Sequence, residues 1–168
     1  MLKTKKTKVS FDYDEIAFKT HNQVFTIAKL TDLSLLKDVQ NSLVKAYKNG
    51  DNFETWKENI VPKLKAKGWF EDKVEVKNPK TGEIKNIKVS SSRLKRIFND
   101  NMRMAYAQSD WESVLKSNKE YVRWVSLLHG NRRKEHLALH GMILPKDDPF
   151  GFIIDLLVGM VASVVFKE

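Results

Sequence analysis

The chain has 168 residues, of which 42% are hydrophobic and 30% charged, and this balance is typical of a globular protein with a real core. It contains no cysteine, which excludes disulfides, thiol catalysis and cysteine-ligated zinc. Its formal net charge of +9 favours polyanions such as nucleic acids as partners.

Apolar residues recur at helical spacing in the first part of the chain. Over Asp12–Lys29 their spacing is mostly helical and predicts a first helix. Asp32 can cap a second helix that Gly50 ends, since glycine is common just after a helix terminus. A third helix is predicted over Phe53–Lys67, ending at Gly68.

The period changes over Lys73–Ser90, where apolar and charged residues alternate around the turn sequence Asn78–Gly82, and this pattern predicts a β-hairpin. The three serines that follow can cap a long helix over Arg93–Asn118. Beyond it we expect a strand, a short helix and an extended return segment, at Tyr121–Leu128, Arg132–His140 and Met142–Leu144. The predicted fold class is therefore α+β, a mainly helical domain with a β-hairpin and a small antiparallel sheet.

Large aromatic side chains occur at helical or strand spacing together with aliphatic residues. This placement favours the core over a base-stacking platform. The residues concerned are Trp56, Trp69, Phe70, Phe98, Trp111 and Trp124.

Two histidines are the only candidates for a metal site. His136 and His140 are four residues apart and share one face of the predicted short helix. The zinc-hydrolase pattern needs a glutamate directly after the first histidine, but Leu137 stands there and a third ligand is not evident. There is also no nucleophile elbow and no glycine-rich phosphate loop. The chain is therefore expected to have neither a cofactor nor an enzyme activity.

Basic residues on the long helix are candidates for DNA contact. Spacings of three and seven place Arg93, Arg96 and Arg103 near one stripe, with Lys95 beside it. A second cluster follows at Arg132–Lys134. Such patches neutralise phosphates without reading sequence, while the alternative interpretation is a solvated helix face.

Several sequence blocks, in order over residues 1–150, resemble the phage Mu F-like minor head proteins, also called head morphogenesis proteins. The most specific are an Asn-x-Arg-x-Ala-Tyr block and an Arg-x-x-His block that continues to a glycine and an Asp-Asp-Pro-Phe sequence. The motif residues are Asn101, Arg103, Tyr106, Arg133, His136, Gly141 and Asp148.

The resemblance implies a non-enzymatic phage or prophage protein that acts near the portal in capsid assembly and DNA packaging. It also implies portal and capsid proteins as partners, with double-stranded DNA as a further one, no membrane, and a location in the virion or in the bacterial host cytoplasm during assembly. The alternatives are a sequence-independent DNA-binding module and a metal-dependent enzyme or toxin-like domain.

The tail at residues 151–168 is apolar and departs from that family. It is shorter than the roughly 20 residues of a membrane-spanning helix and carries Asp155. Family members end on a pattern with Trp, His, Pro-Pro and Cys-x-Cys. When the DNA after Pro149 is read one nucleotide earlier, permissible codons give Trp-Ile-His-Tyr-Arg-Pro-Pro-Ser-Gly-Asp-Gly-Cys-Lys-Cys. The hypothesis is that residues 1–150 form a Mu F-like domain, truncated at both ends, and that the tail is its out-of-frame end, with exposed apolar side chains.

Overall fold

The computed structural model describes residues 2–12, 15–16, 23–125, 138–148 and 161–163. Two compact units can be distinguished, Met1–Met102 and Arg103–Glu168, and the boundary falls inside the longest described helix. The predicted class is confirmed: the fold is α+β and mainly helical. The elements are β1 (Lys6–Thr7), β2 (Val24–Phe25), α1 (Leu33–Asn49), α2 (Phe53–Ala66), β3 (Val74–Lys77), β4 (Ile84–Ile87), α3 (Ser91–Lys116), β5 (Tyr121–Val125), β6 (Ile143–Pro145) and β7 (Val161–Ser163).

The predicted helix over Asp12–Lys29 is wrong in its described part. Val24 and Phe25 form β2, which pairs in parallel with β1. Lys29 has a φ of +63°, a left-handed conformation that cannot continue an α-helix. Phe25 and Ile27 are buried while their neighbours are only half-buried, so the local period is two, as in a strand. Residues 13–14 and 17–22 of the predicted helix lie outside the described part.

The predicted caps of α1 are confirmed, and α2 begins at a cap that was not predicted. The Asp32 carboxylate accepts a hydrogen bond from the Leu35 amide at 3.0 Å, and Gly50 ends α1 with a φ of +70°. Asn52 caps α2 by accepting from the Thr55 amide at 3.0 Å. Because these side chains satisfy amides that a helix leaves open, they fix where each helix begins.

An aromatic cluster forms the centre of the first unit. Trp56 is 1% exposed, and its ring centroid lies 5.3 Å from that of Phe98 on α3 and 6.2 Å from that of Phe53. The Trp56 indole N–H donates to the Ser42 hydroxyl at 2.9 Å, so the one polar atom of this ring is satisfied. This cluster joins α1, α2 and the start of α3.

The β-hairpin is also confirmed. β3 and β4 pair antiparallel, with Val74 opposite Ile87 and Lys77 opposite Ile84. In the turn, the buried Asn78 side chain accepts from the Lys80 amide at 2.9 Å. Val74 and Val76 face inward, whereas β4 is mostly exposed, so the hairpin buries one face of β3 and leaves β4 largely in solvent.

The second unit contains a three-stranded antiparallel sheet in the order β6-β5-β7. Trp111, Val114 and Val122 are its described buried core, and Leu139, Met142 and Leu144 pack against them. The predicted strand at Tyr121 and the extended segment near Met142 are thus confirmed as β5 and β6. Residues 126–137, which include most of the predicted short helix, lie outside the described part. Among the residues that are described, no helix has the length and apolar character needed to cross a membrane.

Candidate functional site

The motif residues of α3 and their neighbours lie partly on its buried side and partly on its exposed side. Asn101 is half-buried and its side-chain amide donates to the Ile97 carbonyl at 2.7 Å, which satisfies it within the helix. Met102 and Ala105 are buried. Arg103 and Tyr106 point outward, with Tyr106 52% exposed. Residues on the outer side contribute little to the core, so Arg103 and Tyr106 lie where other molecules can reach them.

The second motif is described only at its end. Arg133 and His136 lie outside the described residues, as does the Arg132–Lys134 cluster. Gly141 has a φ of +82°, in the left-handed region that other residues adopt only at a cost. A glycine therefore suits the backbone of the turn that leads into β6.

The segment after β6 is fastened to the end of α3 by a lysine. The Lys146 ammonium donates to the Ser117 carbonyl at 2.8 Å, and its amide donates to the Glu120 carbonyl at 2.9 Å. The Asp148 amide donates to the Pro145 carbonyl at 3.1 Å, which closes a turn. Asp148 is half-buried beside this lysine anchor and belongs to the same turn.

Arg93 serves packing within the first unit. Its guanidinium donates to the Ala28 carbonyl at 2.7 Å and lies 5.7 Å from the Trp69 ring centroid. Burial lowers the pKa of this guanidinium, and the nearby charge of Arg96 lowers the pKa further. In the described structure its Nε atom is buried without a hydrogen-bond partner. Arg93 thus turns toward the protein, which makes it less suited to DNA contact than its spacing suggested.

The other basic candidates on α3 are exposed but share their surface with acids. Lys95 is exposed, and its ammonium lies 5.9 Å from the Phe53 ring centroid. Arg96 and Arg103 are exposed as well. Asp100 and Asp110 are also exposed, and they lie four and seven residues after these arginines. The outer side of α3 is therefore of mixed charge.

Charge is distributed unevenly along the chain. Residues 1–102 carry 21 Lys and Arg against 13 Asp and Glu, a formal charge of +8. Residues 103–168 carry nine against eight, a formal charge of +1. Any general attraction to a polyanion would thus arise mainly from the first unit.

No group of three or more potential metal-binding side chains occurs among the residues that the structure describes. His140 is exposed, whereas His136 lies outside the described residues. The pairing of His136 with His140 therefore falls outside the described residues and stays a prediction.

Sequence reasoning missed one cluster, in which Arg93, Trp69 and the Ala28–Lys29 backbone meet. The Trp69 indole N–H donates to the Lys29 carbonyl at 3.4 Å, one residue after the carbonyl that Arg93 holds. The Lys29 ammonium lies 4.2 Å from the Phe11 ring centroid and pairs with Asp12. These residues are far apart in sequence, and no spacing rule links them.

Comparison with known proteins identifies a family for this chain. A family model described as phage Mu protein F-like protein matches residues 37–153, more than half of the chain. The chain belongs to the phage Mu protein F-like family. The match extends from α1 through β6 and contains the motif residues on α3 and in the Gly141 turn.

Two curated relatives are similar over most of the chain. A protein of Escherichia phage Mu, whose name proposes it as capsid assembly protein F, is 30% identical over 141 residues, which cover 82% of this chain and 31% of the relative. The Mu-like prophage FluMu F protein of Haemophilus influenzae is 28% identical over 143 residues, covering 84% of this chain and 33% of that protein. The chain thus spans about a third of the length of these relatives. No solved structure matches it.

Proposed function

We propose that this protein acts in the assembly of a phage or prophage head, as a non-enzymatic minor component that contacts other head proteins near the portal. The observation that carries the proposal is the phage Mu protein F-like match over residues 37–153, together with the capsid assembly role in the name of the Mu relative. Portal and capsid proteins are the proposed partners, and the virion or the host cytoplasm during assembly is the proposed location.

The exposed motif residues give this role a physical basis. Tyr and Arg are enriched at the centres of protein interfaces, where they combine apolar area with directed hydrogen bonds. Arg103 and Tyr106 supply this combination on the outer side of α3. A structural role also fits Asn101 and Asp148, since the Asn101 side chain donates a hydrogen bond within α3 and the Asp148 amide donates one within a turn.

Co-purification tests the proposal. The chain would be expressed with each portal or capsid protein that is found encoded near its gene, and each would be tested for co-purification at moderate salt. We expect capture of at least one of them, reduced by Arg103→Ala or Tyr106→Ala and unchanged by Lys65→Ala, an exposed site on α2. If none of the neighbouring head proteins is retained, the proposed role is wrong.

DNA binding is the second candidate, and it is favoured by the +8 charge of residues 1–102 and the exposure of Lys95 and Arg96. A duplex of random sequence would be titrated at several salt concentrations. A DNA-binding protein loses affinity steeply with salt, by a slope of about −0.9 for each phosphate neutralised. The double variant Lys95→Glu with Arg96→Glu should flatten this slope by about two, whereas Lys116→Glu at the end of α3 should not. Affinity that does not depend on salt would contradict DNA binding.

A further inference from the structure

In the part of the second unit that the structure describes, one side of α3 is exposed to solvent. Arg103, Tyr106, Asp110 and Ser113 follow each other at spacings of three and four, and all are exposed. Such spacing places them on one continuous stripe of the helix. The second unit packs against other positions of α3, since Trp111 and Val114 are buried in its core. We call these four exposed residues the α3 stripe.

The α3 stripe has opposite charges on either side of an aromatic residue. Arg103 lies three residues before Tyr106, and Asp110 lies four residues after it. Ala107 is half-buried next to Tyr106 and is small enough to leave room for a ring. If a second identical helix is reversed about the point between Tyr106 and Ala107, Arg103 of each helix meets Asp110 of the other.

We propose that the α3 stripe is a self-association surface, on which a second copy of this chain docks its own α3 in the antiparallel direction. A two-fold interface of this kind is self-complementary, because each contact occurs twice. Parallel docking would place Arg103 against Arg103 and Asp110 against Asp110, so the charges favour only the antiparallel arrangement. Tyr106 would lie near the axis and against Ala107 of the second copy, where an aromatic residue contributes most to an interface.

This inference goes beyond the proposed head role, because the partner is the chain itself and no other head protein is needed. A single pair of crossing helices buries less than the roughly 800 Å² per partner of a standard interface. We therefore expect a weak dimer, to be measured by sedimentation equilibrium over a range from about 1 to a few hundred micromolar.

Charge reversal is the first test. Asp110→Arg and Arg103→Asp each replace two attractive contacts by two repulsive ones, and each should weaken dimerisation at least about tenfold. Mixing the two variants restores opposite charges at both contacts, so the mixture should dimerise as the unaltered protein does. The matched control is Asp100→Arg, an exposed acid of the same helix that lies off the α3 stripe. Circular dichroism would verify that each variant keeps its helices.

Cysteine cross-linking is the second test, and it reports whether the two α3 helices run antiparallel. The chain has no cysteine of its own, so single cysteines can be introduced at Asn99 and Ser113 without background. These positions are fourteen residues apart on α3, which is about 21 Å of helix. In the antiparallel dimer Asn99→Cys should cross-link to Ser113→Cys and neither variant to itself, since a disulfide needs Cα atoms within about 7 Å.

Three results would overturn the proposal. The first is a protein that stays monomeric up to the highest concentration. The second is a dimer that Asp110→Arg and Arg103→Asp leave unchanged. The third is self-cross-linking of Asn99→Cys alone, which would require a parallel or unrelated contact.

Discussion

Residues 1–102 and residues 103–168 are built in different ways. The first unit carries almost all of the net charge and joins α1, α2 and the start of α3 through the ring cluster around Trp56. The second unit is close to neutral, and its described core is the small group around Trp111 and Val122, which joins one helix to a sheet. The first unit therefore depends on neighbouring helices with local caps, and the second on strands that meet across long stretches of sequence. We expect substitutions in the first to act through packing, and those in the second to act through backbone geometry and surface contacts.

Removal of the central ring of the first unit should have the largest effect. Trp56→Ala leaves a cavity between Phe53 and Phe98 and leaves the Ser42 hydroxyl without its indole donor. Such a change costs about 3–5 kcal/mol of unfolding free energy. Urea unfolding followed by circular dichroism would measure it. Leu33→Ala, at a side chain that is 44% exposed, is the control and should cost much less. Equal effects of the two changes would show that the cluster is not the core.

Loss of Arg93 should have the next largest effect. Arg93→Ala removes the hydrogen bond to the Ala28 carbonyl and the cation–π contact with Trp69. We expect a loss of about 2 kcal/mol, since a charged hydrogen bond and a cation–π contact each contribute about 1–2 kcal/mol. Arg96→Ala, on the exposed side of the same helix turn, should stay within about 0.5 kcal/mol. The same pair can be compared in the DNA titration, where the order should reverse, with Arg96→Ala lowering affinity more.

The backbone of the second unit can be tested at Gly141. Gly141→Ala places a side chain at a φ of +82° and should cost about 1 kcal/mol, although an added Cβ would meet no atom within 4 Å. Gly141→Asn should cost less, because asparagine tolerates left-handed backbone better than alanine. Thermal unfolding of the two variants would measure the difference. If both are as stable as the unaltered protein, strain does not explain this motif glycine.

The features that the sequence predicted correctly are those whose signals lie within a few residues. Asp32 and Gly50 bound α1, and Asn78 fixes the hairpin turn, through contacts that span two to four positions. The helix expected at Asp12–Lys29 was wrong because β1 and β2 pair over about eighteen residues, a contact that periodicity does not reveal. The same limit applies to the candidate site residues. Spacing placed Arg93 on a basic stripe, but a contact with Ala28, 65 residues away, turns it toward the protein.

The tail after Phe150 should contribute little to the helical body. β7 adds backbone pairing to β5. The three described helices all lie before Phe150, and the hypothesis of an out-of-frame end makes the tail a source of exposed apolar side chains. On that hypothesis we expect a variant ending at Phe150 to keep its helical circular dichroism and to gain solubility. A large drop in thermal stability would show that the tail packs, and sequencing of the locus would test the alternative reading frame directly.

Acid should affect the first unit through its lysine-bound carboxylates. The pKa values of three carboxyls lie below their ordinary values of 3.8 for Asp and 4.5 for Glu, in each case chiefly because a lysine ammonium donates a hydrogen bond. The pairs are Asp12 with Lys29, Glu15 with Lys80, and Asp72 with Lys88.

Because these pKa values are lowered in the folded state, the stabilisation is complete above the ordinary values and is lost as pH falls through the folded ones. The Asp12 and Asp72 carboxyls are exposed and Glu15 is half-buried, so solvent screens these pairs and the loss of stability should be smaller than that caused by Gly141→Ala. Urea unfolding at a series of pH values from about 6 to about 2 should show it as a decline below the ordinary carboxyl range. The triple variant Asp12→Asn, Glu15→Gln and Asp72→Asn should show a shallower decline and, at neutral pH, slightly lower stability. A decline of the same slope in both proteins would place the acid sensitivity in other carboxylates.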